Sequence, residues 1–423
     1  MKSNRLHASS IALAVAAAFP LAVRAAGDET AALRQEVEQL RKEVSELKVL
    51  VKSQVQSAAT KAEVSAVQSD VKAVQADVTA VQGEVTRVAT ESVRPADTNS
   101  KAVFAGSAAV GYTDMRGSNS SFSMAEFNPV FLYQYKDLLL FKAQLATAVN
   151  ADGSTDAGLE YANANLFVND NLTLYAGKFL SPMGYFFQNL HPPWINRLPS
   201  RPPGFGNEGS AAPEAFVGAG GLGGFALGET ARANYSLYVG NSPLLALNED
   251  GNEIEAIEAD GNTLSANGGK LVGGRLGVLP VPGLELGVSG GTGRVAIPGE
   301  SNRSYTVLGA DASYVRGAWD LHAEYIQQGV GTLSSSVAPG ARTWRTWYAQ
   351  LAYRIPSTKW EPVARYGDYK GPYEEQQLNQ WAIGLDYWFT PSAVGKIAYE
   401  FNKGMAGTPN DVDRFMLQFG YGF

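Results

Sequence analysis

Cysteine is absent from the 423 residues, which excludes a disulfide framework, a thiol nucleophile, a lipid-modified N-terminal cysteine and Cys-ligated zinc. Histidine occurs only three times, leaving little for a histidine-based metal or acid–base centre. The 34 Lys and Arg are outnumbered by 41 Asp and Glu, and at a net charge of −7 nucleic-acid binding has no electrostatic footing. No apolar run reaches the roughly 20 residues that a membrane-spanning helix needs. Glycine (45 residues) and aromatics (19 Tyr, 18 Phe, 7 Trp) are abundant, at a mean hydropathy of only −0.13. A transmembrane β-barrel shows this combination, because alternate residues face water and dilute the apolar average. The length allows two or three domains.

The pattern changes twice along the chain. Residues 1–26 carry Lys2 and Arg5, an apolar run from Ile11 to Leu21, and then Val23-Arg24-Ala25-Ala26, which reads as a secretory signal peptide. Residues 30–94 then place Leu33, Val37, Leu40, Val44, Leu47 and Val51, and later Val64, Val67, Val71, Val74, Val78, Val81, Val85 and Val88, at alternating spacings of three and four. Such a seam predicts a coiled coil, with a register break near Gln54 and Lys61. Its first half favours a dimer. The all-Val second half leans towards a trimer, and the rod would reach roughly 80–90 Å. Arg94-Pro95 ends the helix, and 95–101 reads as a linker.

From residue 102 to 423 the period is two. Leu139/Phe141/Ala143/Leu145, Trp381/Ile383/Leu385/Tyr387/Phe389 and Phe415/Leu417/Phe419/Tyr421/Phe423 form apolar faces, with hydrophilic residues on the opposite parity. About sixteen antiparallel strands are expected: 102–113, 124–135, 138–150, 156–168, 171–179, 214–227, 230–240, 269–279, 283–294, 304–316, 318–329, 342–354, 359–370, 378–389, 392–403 and 411–423. Tight links such as Lys136-Asp137 and Thr390-Pro391 alternate with long ones such as 180–213 and 241–268. The fold class is therefore an all-β transmembrane barrel preceded by a helical coiled coil, with both barrel termini on the tight-turn, periplasmic side. A soluble sandwich would have to expose long aromatic strand faces to water.

Little in the chain points to catalysis. Neither His191 nor His322 stands in a Ser or Asp nucleophile motif. Asp250-Gly251-Asn252 and Asp260-Gly261-Asn262 are like calcium-binding turns but lack the full ligand spacing, so 241–268 reads as a solvated acidic hairpin or lid. Gly218, Gly220, Gly221, Gly223 and Gly224 lie on a strand without the helix or Lys-Ser/Thr of a phosphate loop. The working element is a pore. Inward parity gives it the bases Lys142, Arg232, Arg275, Arg354, Arg365, Lys396 and Arg414, matched by the acids Glu160, Glu285, Asp311, Glu324, Glu361, Asp386 and Glu400. A dedicated phosphate channel would show a surplus of bases, which is not seen.

The loop 180–213 is the expected constriction. Pro182, Pro192, Pro193, Pro199, Pro202 and Pro203 limit its freedom, and Tyr185, Phe186, Phe187, Trp194 and Phe205 are too many aromatics for a solvated loop. It would carry Tyr185, His191, Trp194, Arg197 and Arg201 into the lumen. There the two arginines either attract anions or pair with wall carboxylates.

Several segments carry a family resemblance: Leu159-Glu160-Tyr161-Ala162, Gly177-Lys178-Phe179-Leu180-Ser181-Pro182-Met183-Gly184, His191-Pro192-Pro193-Trp194, Tyr238-Val239-Gly240-Asn241-Ser242-Pro243 and the aromatic strand ending at Phe423. Over its whole length the chain resembles Gram-negative outer-membrane porins with a periplasmic coiled coil, and is similar to the phosphate-selective (O and P type) porins and their siderophore-porin relatives. The resemblance implies a trimeric diffusion channel whose third outer loop folds into the lumen. It also implies that Phe415, Phe419, Tyr421 and Phe423 form the signal read by the barrel-insertion machinery. Outer-membrane lipid and lipopolysaccharide are then expected partners, as is peptidoglycan through the coiled coil. No cofactor or metal is expected. A structural tether to the cell wall is the alternative role.

Overall fold

A computed structural model describes residues 99–206 and 210–423. The segments expected to be signal peptide and coiled coil lie outside the described residues. From the first described residues the chain forms β1 (Ser100–Met115), β2 (Ser121–Tyr135), β3 (Leu139–Val149), β4 (Thr155–Asn169), β5 (Leu172–Leu180), a single helical turn α1 (Phe186–Asn189), β6 (Ala215–Leu227) and β7 (Ala231–Asn241). Two short strands follow, β8 (Leu244–Leu247) and β9 (Ile254–Glu258). The rest are β10 (Lys270–Val281), β11 (Leu284–Val295), β12 (Arg303–Arg316), β13 (Trp319–Val330), β14 (Arg342–Tyr353), β15 (Trp360–Lys370), β16 (Leu378–Thr390), β17 (Ala393–Lys403) and β18 (Arg414–Gly422).

All but β8 and β9 join one closed barrel of sixteen strands, each paired antiparallel with its neighbours. Every expected strand is present, with its ends shifted by no more than three residues. Closure leaves no strand edge, so backbone groups are satisfied where no water could reach them. The seam joins β1 to β18 from Ser107 opposite Gly422 to Met115 opposite Arg414. Gly106 extends it by donating to the Phe423 carbonyl at 2.9 Å and accepting from the Phe423 amide at 3.0 Å. A Cβ on Gly106 would lie 2.8 Å from Phe423 Cζ and 2.6 Å from the Asn128 carbonyl oxygen, so the seam closes only around a glycine.

Strand alternation sorts the side chains. Leu237, Val288, Ile383 and Phe401 point outward and stay exposed, as a lipid-facing surface requires. At the tight-turn ends Trp319 packs on Tyr353 with ring centroids 4.5 Å apart, and Trp360 on Tyr387 at 4.7 Å. In barrels that span a membrane, amphipathic rings of this kind gather at the interface level. The apolar core lies inside the barrel. One cluster gathers Phe179, Phe186, Phe187, Phe205, Phe216, Tyr238, Tyr305, Trp344 and Tyr348. A smaller one surrounds Leu198 with Ala352, Val363, Ala382, Ala398 and Met416.

The acidic segment 241–268 forms the expected hairpin, β8 with β9, but it is not solvated on both sides. Leu245, Ile254 and Ile257 bury themselves in the larger cluster. Its far end reaches the opposite rim, where Arg342 pairs with Glu253 at 2.9 Å and the Tyr373 hydroxyl donates to the Ile254 carbonyl at 3.0 Å. Glu249, Asp250, Glu255 and Glu258 stay exposed, so the burial of three branched aliphatic side chains, worth roughly 1.5–3 kcal/mol each, is not set against a loss of solvation at these carboxylates.

Candidate pore

The segment joining β5 to β6 turns into the barrel because of its first few residues. Pro182 cannot donate to a ladder and ends β5. Gly184 then adopts φ +73°, and a Cβ there would fall 1.6 Å from Glu324 Oε1. Only glycine both turns the chain and lets that wall carboxylate come so close. Glu324 accepts the Phe186 amide at 3.0 Å, capping α1 from the barrel wall. Phe186, Phe187 and Phe205 pack on one another, and Phe186 and Phe205 on Tyr348, at centroid distances of 5.3–6.3 Å.

Further along, wall side chains hold the loop by its carbonyls. Arg365 donates to the carbonyls of Ser200 at 2.9 Å and Arg201 at 3.1 Å. Lys396 donates to the carbonyls of Pro193 and Asn196. A prolyl-rich segment has few amides to satisfy its own carbonyls, so buried cations take that part. Glu400 balances Arg365 at 3.5 Å and Arg414 at 2.8 Å. Asp386 lies opposite Glu361 and Lys396 in the sheet and is fully buried.

The residues expected to line the pore therefore separate into groups. Arg365, Lys396, Asp386, Glu400, Asp311 and Glu324 are buried, most of them beneath the folded-in loop. Arg275 bridges Glu285 at 2.9 Å and Asp311 at 2.5 Å. Arg354 pairs with Glu361 at 2.9 Å and lies over Trp388. Arg414 borders a cavity of about 430 Å³ with Arg201 and Tyr369. Arg232 is exposed near the tight turn that follows β6. Lys142 and Glu160 face a separate passage.

The residues expected at the constriction also separate. Arg197 is held between Asp320 at 2.7 Å and Glu361 at 2.8 Å. Arg201 pairs with Glu214 at 3.2 Å. Tyr185 stacks on His322. His191 and Trp194 border the passage.

That passage follows the wall of β1–β5, opposite the half of the barrel that the loop fills. A lower cavity of about 780 Å³ is lined by Lys142, Tyr161, Asn163, Tyr175 and Trp194, among others. An upper one of about 370 Å³ is lined by Glu126, Asp156, Glu160 and Arg201, among others. Gln144, His191 and Pro192 border both cavities, and the level they share is termed the neck.

A β-bulge shapes this neck. Gln144 lies opposite Tyr161 while the next residue, Leu145, lies opposite Leu159, leaving Glu160 as the extra residue. Glu160 and Tyr161 consequently both turn inward, although they are adjacent in sequence. Glu160 accepts from Gln144 and faces His191 Nε2 at 3.1 Å. Below the neck the Lys142 ammonium lies 5.7 Å from the centre of the Tyr161 ring, with no carboxylate in ion-pair range among the described residues. Strand parity alone does not single out Glu126, Asp156, Asp320 or Glu214 as members of these networks. Asp320 and Glu214 stand at strand ends, where parity is hardest to read.

No family model and no curated protein matches the sequence. Solved structures do match its fold. OmpF of Salmonella typhi, in complex with daunomycin, aligns with a TM-score of 0.53 at 12% identity, covering 77% of this chain and 98% of that one. An anion-selective porin from Comamonas acidovorans aligns at 0.51 and 12% identity, covering 77% and 100%. A loop-deleted OmpT, an outer-membrane protein of Vibrio cholerae, aligns at 0.50 and 12%, covering 77% and 100%. At such identities the likeness is one of architecture: the described residues have the sixteen-strand barrel fold found in outer-membrane porins.

Proposed function

We propose that this protein is an outer-membrane porin, a channel and not an enzyme, which passes small hydrophilic solutes by passive diffusion. The observation that carries this reading is the third outer loop, folded into a closed barrel so that two cavities, each lined by polar and apolar side chains, lie in succession along one wall and share Gln144, His191 and Pro192. A channel needs a constriction lined by fixed polar groups, with wider water-accessible space on either side. The balance of acids and bases on the wall favours a general channel over one selective for phosphate or siderophores. Lys142, without an ion-pair partner among the described residues, is the cation we place in contact with passing solute, ahead of Arg197 and Arg201, which are engaged by Asp320, Glu361 and Glu214.

On this reading the outward aromatics contact outer-membrane lipid and lipopolysaccharide. Phe415, Phe419, Tyr421 and Phe423 serve the barrel-insertion machinery. Three copies assemble, and residues 30–94 extend into the periplasm towards peptidoglycan. Liposomes carrying the purified protein should swell in isotonic sugar, amino acid and phosphate solutions, with rates falling as solute size rises. No swelling with any of the three would contradict the proposal.

A further inference from the structure

The neck holds two contacts that need one more proton than a neutral imidazole facing a carboxylate supplies. His191 Nδ1 is hydrogen-bonded to the Phe187 carbonyl, which can only accept. Its Nε2 faces the Glu160 carboxylate at 3.1 Å, and both side chains are more than nine-tenths buried. A neutral imidazole has one N–H and one lone pair, so it can serve one of these two oxygens and must turn a lone pair to the other. An imidazolium beside the carboxylate serves both, as does a neutral imidazole accepting at Nε2 from a protonated Glu160; either way the pair holds one further proton. We infer that His191 and Glu160 form a proton-loaded latch that fastens the loop to β4 across the neck and sets the neck's charge, so that conduction and ion preference change as His191 titrates.

This rests on the porin reading above. With the proton bound, the pair is neutral and the loop is stapled to the bulge. Without it, one contact becomes a repulsion between acceptors, the staple loosens and Glu160 is left as an uncompensated charge. Gln144 still holds Glu160 in place, so the change falls on the loop side.

The charged groups around the latch are Lys142 and Asp156 on the β3–β4 wall, Glu126 on β2, Lys178 on β5 and Arg201 on the loop itself. Lys396, from β17, reaches the loop carbonyl of Pro193, two residues beyond His191. Carboxylates, lysines and arginines ordinarily keep their charge between about pH 5 and 8, where histidine alone titrates. His322, the other barrel histidine, pairs with Asp320 on β13 and stacks on Tyr185, away from the neck.

The test uses the full-length protein in planar bilayers, with conductance and reversal potential recorded in a KCl gradient from pH 5 to 8. The wild type should become more conductive and more cation-preferring as pH rises, the permeability ratio changing by roughly twofold to fivefold for one unit charge in a screened neck. His191→Gln should abolish this pH dependence. His322→Gln should retain it. Glu160→Gln should keep a pH dependence of the same sign, offset towards anions by about one charge. Histidine NMR in detergent, with only two barrel histidines, supplies a readout independent of channel assembly: the His191 titration should share its midpoint with the conductance change. A conducting His191→Gln channel with the wild-type pH profile would overturn the latch and leave the porin reading standing. A wild type that never conducts would overturn both.

Discussion

Arg365 shows how a single inward side chain can be structural even though it sits on the lumen face. Its guanidinium is fully buried, donating to the Ser200 and Arg201 carbonyls and to Gln380, with Glu400 as counter-charge. Removing one partner of a buried charge pair leaves the other uncompensated. Because Arg414 still faces Glu400, Arg365→Ala should cost about 3 kcal/mol, at the lower end of what such a loss entails. Urea unfolding in detergent reads this directly, and unchanged stability would show that the loop is not pinned there. Strand parity gives the side on which Arg365, Lys396 and Lys142 project. Parity carries no information about which of them a folded-in loop will cover. That depends on contacts between residues some two hundred positions apart, such as Lys396 with Asn196.

At the scale of elements, the alternation of tight turns and long loops was legible because each strand repeats the same two-residue pattern. The β4 bulge was not. One extra residue between Leu159 and Tyr161 leaves two short alternating runs that read equally well as one. The β8–β9 hairpin was half legible: its acids were plain, while the apolar triplet Leu245, Ile254 and Ile257 gains its meaning only from the cluster it enters. Outer loops also tie to one another. Glu300, between β11 and β12, accepts the Val337 amide at 2.8 Å and lies 3.6 Å from Arg303. Desolvation opposes its ionisation, but bonds from Ser336 and Val337 together with Arg303 prevail and hold its pKa below the usual glutamate value. A depressed folded-state value means that the tie contributes fully above the ordinary carboxylate range and is lost as pH falls through the depressed value. Glu300→Gln should therefore lower the unfolding midpoint at neutral pH, with the gap to wild type closing as the solution is acidified below about pH 4. A gap that stays constant with pH would mean that the carboxylate charge plays no part.

The whole molecule joins two requirements that pull in different directions. Closing sixteen strands satisfies the backbone and turns aliphatic and aromatic rows outward, yet a barrel of this size encloses space that must be filled or used. Here both happen: the loop and hairpin fill the interior from β5 round to β17 with an apolar cluster and buried ion pairs, and the wall of β1–β5 keeps two cavities that share Gln144, His191 and Pro192. The account stands on those cavities being a conducting path. The measurement that tests it most directly is single-channel recording of the purified full-length protein in a planar bilayer. Discrete, ohmic conductance steps that scale with salt concentration are the expected result. A correctly folded, heat-modifiable barrel that inserts into the bilayer without producing steps at any pH from 5 to 8 would contradict the account.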